Sequence, residues 1–297
     1  MTGLPLLGYS IKKVKLPVQR TGLPGNEISF YIVPLDPAYK AGLAGHLPVN
    51  TVGGEPMPKI TEGVYFIPGQ DGMMPDSHTC VVGNPSSKDL SLIDPGLVGK
   101  GNYKIDSIRK LGIDLEDIRR VIMTHTHFDH IGALSEIQKK IPWAELWIHQ
   151  AEGDPLEQGD ERTVYGMEMF QQVCQMQYGI KSGSFTFKVD RKLQGEETLK
   201  IGGMSWEVIH IPGHSLGSVG LYYSPEKILI PGDVLYADHA IGRFDLFGAD
   251  GAALKDSLKR LSEREVKILL PGHNRVVTKL PAGYILETLK QWEPYLG

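Results

Sequence analysis

The sequence predicts an α/β fold, and three observations carry that prediction. Short apolar runs of strand length occur at Glu62–Ile67, His78–Val82 and Leu90–Ile93, and again at Ser205–Ile211, Val219–Tyr223, Lys227–Ile230 and Val266–Leu270. Helix-type patterns are interleaved with them, at about 102–111, 250–263 and 282–292. Between the two groups, the run Asp117–Met123 reads as an amphipathic start followed by a buried strand. It ends in a loop crowded with polar residues, Thr124-His125-Thr126-His127-Phe128-Asp129-His130.

Residues 1–58 hold eight of the 20 prolines and few helix signals. Short apolar pieces such as Ile28–Val33 make this zone an extended arm or a few edge strands. It is expected to lie packed on the core, with covering the site or joining a homodimer interface as further roles open to it. Residues 59–297 form the main domain. Its first part carries the early strands and a helix that Asn102 can cap, running to about Leu111. Gly96–Gly101 contains Gly-Lys without the spacing of a phosphate loop and reads as a turn. Ile131–Ile137 begins a helix after the polar loop, and residues 196–295 read as a second βα half.

A helical insertion is expected over about 151–195. Within it, Glu161–Tyr178 is rich in Met, Gln, Phe and Tyr, with Met167, Met169, Phe170, Val173 and Met176 at helical spacing. Core packing is the favoured reading of that stripe. The alternative is a lid with a soft, adaptable apolar surface above the site.

Composition narrows the function classes. The chain has 297 residues, 41% hydrophobic and 22% charged, enough for a sizeable core. Net charge is −4, and the densest basic cluster, Lys12, Lys13 and Lys15, reads as a solvated face. Nucleic acid is therefore not the expected partner. No stretch has the length and apolarity of a membrane span. The first residues lack the charged start and apolar run of a signal peptide. A cytoplasmic location follows as the expectation. Cys80 and Cys174 are far apart and in no C-x-x-C pair, so free buried thiols are expected.

The polar loop carries the chemistry. His125, His127, Asp129 and His130 stand in the order His-x-His-x-Asp-His. Three further candidates follow in Pro-Gly turns: His214, Asp233 and His273. Neutral imidazole is a good ligand for zinc and other borderline divalent ions, and a carboxylate can bridge two of them. Two adjacent ions share a water, lower its pKa and polarise the oxygen that becomes negative in the transition state. Alternation within the loop would send His125 and His127 one way and Asp129 with His130 another. The remaining histidines, His46, His78, His149, His210 and His239, read as surface or satisfied core residues.

This ordered set of seven resembles the metallo-β-lactamase-fold hydrolases, over roughly residues 60–275. The resemblance implies a four-layer αββα sandwich with two divalent metal ions at one edge of its sheets. It implies that His125, His127 and His214 bind the first ion, that Asp129, His130 and His273 bind the second, and that Asp233 bridges both. Zinc suits the ligands best, with iron or manganese as alternatives. The implied activity is attack by a metal-bridging hydroxide on a lactone, ester or thioester carbonyl of a small-molecule substrate. Asp129 is expected to help move the proton to the leaving group. Tyr236 lies three residues after Asp233. In the related homoserine-lactone lactonases a tyrosine at that offset points at the substrate. The other reading of Tyr236 is an aromatic packed at a strand end.

Residues Gly232–Tyr236 followed by Ile241–Leu246 look like the glyoxalase II-related branch. There Arg243 and Asp245 are expected as a structural ion pair, with anion binding by Arg243 as the alternative. Only 24 residues follow His273, however, where glyoxalase II has a helical domain that holds glutathione. Phosphotriester or phosphodiester cleavage is the runner-up, since the same hydroxide can attack phosphorus. A persulfide dioxygenase-type oxygenase uses one iron with two histidines and an aspartate. The complete second ligand set weighs against it.

Overall fold

Two sheets, each covered on both faces, frame the molecule in this computed structural model. The structure describes residues 59–297 and the short antiparallel pair β1 (Thr51–Val52) and β2 (Glu55–Pro56). The chain divides into two units, 1–49 and 50–297. The expected arm, with its apolar piece at 28–33 and His46, lies outside the described residues apart from the β1–β2 pair.

The larger sheet has seven strands in sequence order: β3 (Lys59–Thr61), β4 (Val64–Ile67), β5 (Thr79–Val82), β6 (Leu90–Ile93), β7 (Ile118–Ile122), β8 (Glu145–His149) and β9 (Arg191–Leu193). Pairing is antiparallel as far as β6 and parallel from β6 to β9. The smaller sheet has five strands: β10 (Thr198–Ile201), β11 (Met204–His210), β12 (Val219–Tyr223), β13 (Ile228–Ile230) and β14 (Ile268–Leu269). Its last pair, β13–β14, is parallel.

The central strands β4, β5, β6 and β13 are buried along their whole length because both faces are covered there, whereas the edge strands β3, β9 and β10 are partly exposed. In β4, Val64 and Phe66 point to the core between the sheets, while Tyr65 and Ile67 point to the outer layer. The inner core joins Phe66, Val82, Ile93 and Ile122 of the large sheet to Trp206, Val208, Leu221 and Ile228 of the small one. Helices α1 (Gly101–Lys110), α2 (Phe128–Ile131) and α3 (Leu134–Gln138) help cover the outer face of the large sheet. So do α4 (Gln150–Glu157), α5 (Arg162–Tyr165) and α6 (Glu168–Tyr178). Helices α7 (Gly251–Ser262) and α8 (Tyr284–Trp292) cover the small sheet. The result is a four-layer αββα sandwich.

Two local expectations need correction. Asn102 does not cap α1, which begins one residue earlier; the Glu136 carboxylate accepts from the Gly101 amide at its start, and from the preceding Gly99 amide, at 2.9 and 2.6 Å. The segment 151–195 carries helices α4, α5 and α6, as expected of a helical insertion; they form the crossover between parallel strands β8 and β9, and the segment's end supplies the edge strand Arg191–Leu193.

The second correction concerns the Met-rich stripe. The expected single helix over 161–178 breaks at Gly166, which is left-handed (φ 71°). In α6 the inward residues are Phe170, Cys174 and Tyr178, whereas Met169 and Met176 are 64% and 80% exposed. The aromatic rings decide the orientation: Phe170 and Tyr178 pack on Phe128 at centroid distances of 6.2 and 5.5 Å. Large rings bury more apolar area there than the thioethers would. Core packing therefore does not explain Met169, Val173 and Met176.

Cys80 and Cys174 are free and buried. Among the described residues no helix is long and apolar enough to cross a membrane.

Candidate metal centre

The seven candidate residues all sit in loops or first turns at the carboxyl ends of strands. His125–His130 follow β7, His214 follows β11, Asp233 follows β13 and His273 follows β14. Strand ends of this kind leave side chains free to converge above a rigid sheet. The loop after β7 becomes helix α2 at Phe128, so Asp129 and His130 lie in a helical turn rather than in the loop. This change of backbone separates the directions of the two pairs.

Glycines allow the remaining loops to close in. A Cβ on Gly272 would stand 2.1 Å from Asp233 Oδ1, and one on Gly232, which is left-handed at φ 55°, 2.6 Å from Thr124 Oγ1. Both contacts are impossible for any other residue, which accounts for the Pro-Gly turns before Asp233 and His273.

The side chains form two groups, His125–His127–His214 and Asp129–His130–Asp233–His273. In the first, His214 Nε2 lies 2.9 Å from His127 Nδ1 and 3.3 Å from His125 Nε2. In the second, His273 Nε2 lies 3.0 Å from Asp129 Oδ2. Asp233 stands between them: Oδ1 is 3.2 Å from His130 Nε2, and Oδ2 is 3.5 Å from His273 Nε2 and 3.8 Å from His214 Nε2. The first group is buried throughout, whereas Asp129 and His273 are partly exposed and mark the open side.

The donor set fits a divalent cation. Eight buried side-chain polar atoms among the described residues make no well-aligned hydrogen bond, and four are in this cluster despite the close approaches above: His127 Nε2, His130 Nε2, Asp233 Oδ1 and His273 Nε2. Left unfulfilled, such an atom costs about 1–3 kcal/mol. Natural folds rarely concentrate that cost in one place unless a ligand relieves it.

Electrostatics separates the groups. Burial holds His125, His127 and His214 below the ordinary imidazole value, His127 at about 3, and the neighbouring rings add to the effect. These three are neutral ligands in waiting. Burial also opposes a charge on His130, but Asp233 and Asp94 outweigh it and raise that ring well above its usual value. His273 is raised by the same contest, with Asp233 and Asp129 as the winning partners.

Several supporting residues were not singled out by sequence reasoning. Asp94 accepts from the Thr124 amide and hydroxyl at 2.8 and 2.6 Å and stands 2.9 Å from His130 Nδ1. Thr124 Oγ1 in turn lies 3.1 Å from His125 Nδ1. Buried Glu152 accepts from the Thr126 amide and hydroxyl at 2.7 and 2.8 Å and from the Gly217 amide at 2.9 Å. It thereby ties the His125–His127 loop to the His214 loop. A buried-strand run ending in Asp94-Pro95-Gly96 was the signal available for Asp94; Glu152 has no local signal.

Tyr236 is half-buried, with its ring 6.5 Å from that of His273. Arg243 pairs with Asp245 at 2.7 and 2.9 Å on the surface, and its backbone carbonyl receives His214 Nδ1 at 2.7 Å. The other described histidines are satisfied. His78 accepts from the Gly69 amide at 2.8 Å and donates to the Asn274 carbonyl at 2.6 Å, while His149 and His210 stack 4.0 Å apart.

An αββα sandwich with a three-histidine group beside a histidine–aspartate group at the ends of its strands defines a class of metal-dependent enzymes. The chain belongs to the metallo-beta-lactamase superfamily, as a metal-dependent hydrolase: residues 75–273 match that family. It is 32% identical over 197 residues to the probable metallo-hydrolase MJ0888 of Methanocaldococcus jannaschii, covering 65% of this chain and 86% of that one. It is 29% identical over 194 residues to the hydroxyacylglutathione hydrolase GloC of Haemophilus influenzae, covering 64% and 82%. Among solved structures, the BLEG-1 B3 metallo-beta-lactamase superposes with a TM-score of 0.58 at 26% identity, covering 78% of this chain and 97% of that one.

Proposed function

We propose that this hydrolase uses a dinuclear centre to cleave an acyl bond, with thioesters ahead of lactones and simple esters. The observation that carries the reading is Asp233, whose carboxylate reaches both ligand groups: Oδ1 lies towards His130 and Oδ2 towards His273 of the second group, and Oδ2 also stands 3.8 Å from His214 of the first. His125, His127 and His214 would hold one ion, Asp129, His130 and His273 the other, with Asp233 shared. Zinc is the proposed metal, as the ion best suited to histidine with carboxylate. The likeness to a hydroxyacylglutathione hydrolase supports the thioester preference.

Two ions held there would supply an acidified water and polarise the scissile carbonyl. The protein's own groups do the rest. Burial, then Asp233 and Asp129, push the Tyr236 phenol well above its ordinary pKa, so it keeps its proton. A protonated phenol at the mouth can donate to negative charge developing on the substrate oxygen. Burial disfavours the Asp129 carboxylate, but His273 and His130 outweigh it and hold its pKa at about 2. It is therefore ionised at working pH and can accept the proton that the attacking water loses and then deliver it to the leaving group.

The test is a matched panel: an acyl-glutathione thioester, an acyl homoserine lactone, an aryl ester and an aryl phosphotriester, each with the wild type and Asp233→Ala. The thioester should be fastest, and the variant should lose about a hundredfold or more in rate, the scale of a lost transition-state stabiliser. Fastest turnover of the phosphotriester, or undiminished hydrolysis by Asp233→Ala, would overturn the reading.

A further inference from the structure

The turn that carries Tyr236 is held from outside the metal centre. Asp238 and His239 are consecutive left-handed residues, with φ of 59° and 56°, and neither is glycine. Each such residue is uphill unless its surroundings impose it. Helix α8 does so. The Tyr284 hydroxyl accepts from the His239 amide at 2.6 Å and donates to the Tyr236 carbonyl at 3.1 Å. Trp292 Nε1 donates to the His239 carbonyl at 2.7 Å. The His239 ring stacks on Tyr284, with centroids 4.2 Å apart and planes 17° apart, and its Nδ1 lies 2.7 Å from Thr288 Oγ1. Thr288 Oγ1 already donates to the Tyr284 carbonyl at 2.9 Å, so it accepts from that ring. On the other side, the Asp238 carboxylate receives Arg275, two residues beyond His273, at 2.5 and 3.1 Å.

We propose that Tyr284 is a positioning residue for the hydrolysis, its hydroxyl fixing the left-handed turn so that the Tyr236 phenol stands at the mouth of the metal centre. The inference rests on the reading of Tyr236 as the substrate-facing donor. Packing of α8 on the sheet would need only the Tyr284 ring. The hydroxyl adds nothing to that packing. Both of its hydrogen bonds go to the turn, one to the residue that carries the phenol and one to a left-handed residue. Placement matters because a donor displaced by about 1 Å can lose on the order of a hundredfold in rate.

The experiment is a double-mutant cycle with Tyr284→Phe and Tyr236→Phe in the metal-loaded enzyme, beside amide hydrogen exchange over residues 236–241 of the full chain. Tyr284→Phe keeps the ring stacked on His239 and removes only the hydroxyl. It should lower kcat roughly ten- to a hundredfold with KM within about twofold. It should speed exchange at the Tyr236 and His239 amides, and it should cost nothing further when Tyr236 is already Phe. An equal loss in both backgrounds, or none in either, would overturn the positioning role. If Tyr236→Phe alone is silent while Asp233→Ala abolishes turnover, the phenol's role fails, and this inference with it, although the hydrolase stands. If Asp233→Ala is also silent, the dinuclear reading is what has failed.

Discussion

The two ligand groups differ in composition and are held in opposite ways. His125, His127 and His214 are buried, kept neutral, and fixed through Glu152, Thr124 and the Arg243 carbonyl. The second group adds two carboxylates, Asp129 and Asp233, to His130 and His273; Asp129 and His273 are partly exposed, and the two rings are held towards the charged state by Asp94, Asp129 and Asp233. The first group behaves as a preformed neutral cage. The second is an open half-site in which protons occupy the place of a cation. On the proposed reading, the difference says where substrate would meet the centre: at the exposed side, beside Asp129 and His273, with the neutral cage as the fixed wall behind it.

The sharpest way to break that comparison is to cut the supports separately. Glu152→Gln turns an amide donor towards Thr126 or Gly217, both of which need an acceptor, and should weaken the first metal roughly ten- to a hundredfold. Asp94→Asn should act mainly on the second, through His130, with a smaller effect on His125 transmitted by Thr124. Stepwise zinc titration against a chromophoric chelator would resolve the two steps. Equal loss in both steps for both variants would show that the groups are not held independently.

A smaller effect should appear in pH dependence. His130 and His273 have raised folded-state pKa values, so in the metal-free protein they stabilise the fold below the ordinary imidazole value near 6.5. That contribution disappears as pH rises through their higher folded values. A metal must displace the same protons. Affinity of the second site should therefore fall as pH is lowered through the raised values, with proton release on binding, whereas the first site should respond little at neutral pH. Calorimetric titrations in buffers of different ionisation enthalpy measure the protons released. Release on filling the first site, with none on the second, would reverse the assignment.

Much of the centre was legible because its chemistry is local or flagged. Four candidates fall within six residues after an apolar strand, and the other three follow Pro-Gly turns; the crowded centre requires the glycines before Asp233 and His273, and the backbone of Leu254 in α7 requires the one before His214. The supports were not legible, because their partners are distant in sequence. Glu152 meets Gly217 65 positions away, and Tyr284 meets Tyr236 48 positions away. A lone glutamate or tyrosine at such a position looks like ordinary surface or core until the fold joins it to the site. The facing of α6 was misjudged for a related reason. Periodicity grouped Phe170 with Met169, Val173 and Met176 in one stripe, and only the rings waiting at Phe128 decide that Phe170 turns inward with Cys174 and Tyr178 instead.

That decision supplies the smallest predicted effect. Met176→Gln exchanges a side chain that is 80% exposed, on a helix that glutamine tolerates as well as methionine does. It should move stability by about 0.5 kcal/mol or less. Phe170→Ala removes a ring packed on Phe128, one residue from Asp129, and should cost about 2 kcal/mol, less than a fully buried phenylalanine because this one is half-buried. Denaturant midpoints of the two variants compare the outward and inward faces directly. A Met176→Gln loss equal to that of Phe170→Ala would mean that the outer stripe is covered in solution. The exposed thioethers would then belong to an interface rather than to a free surface.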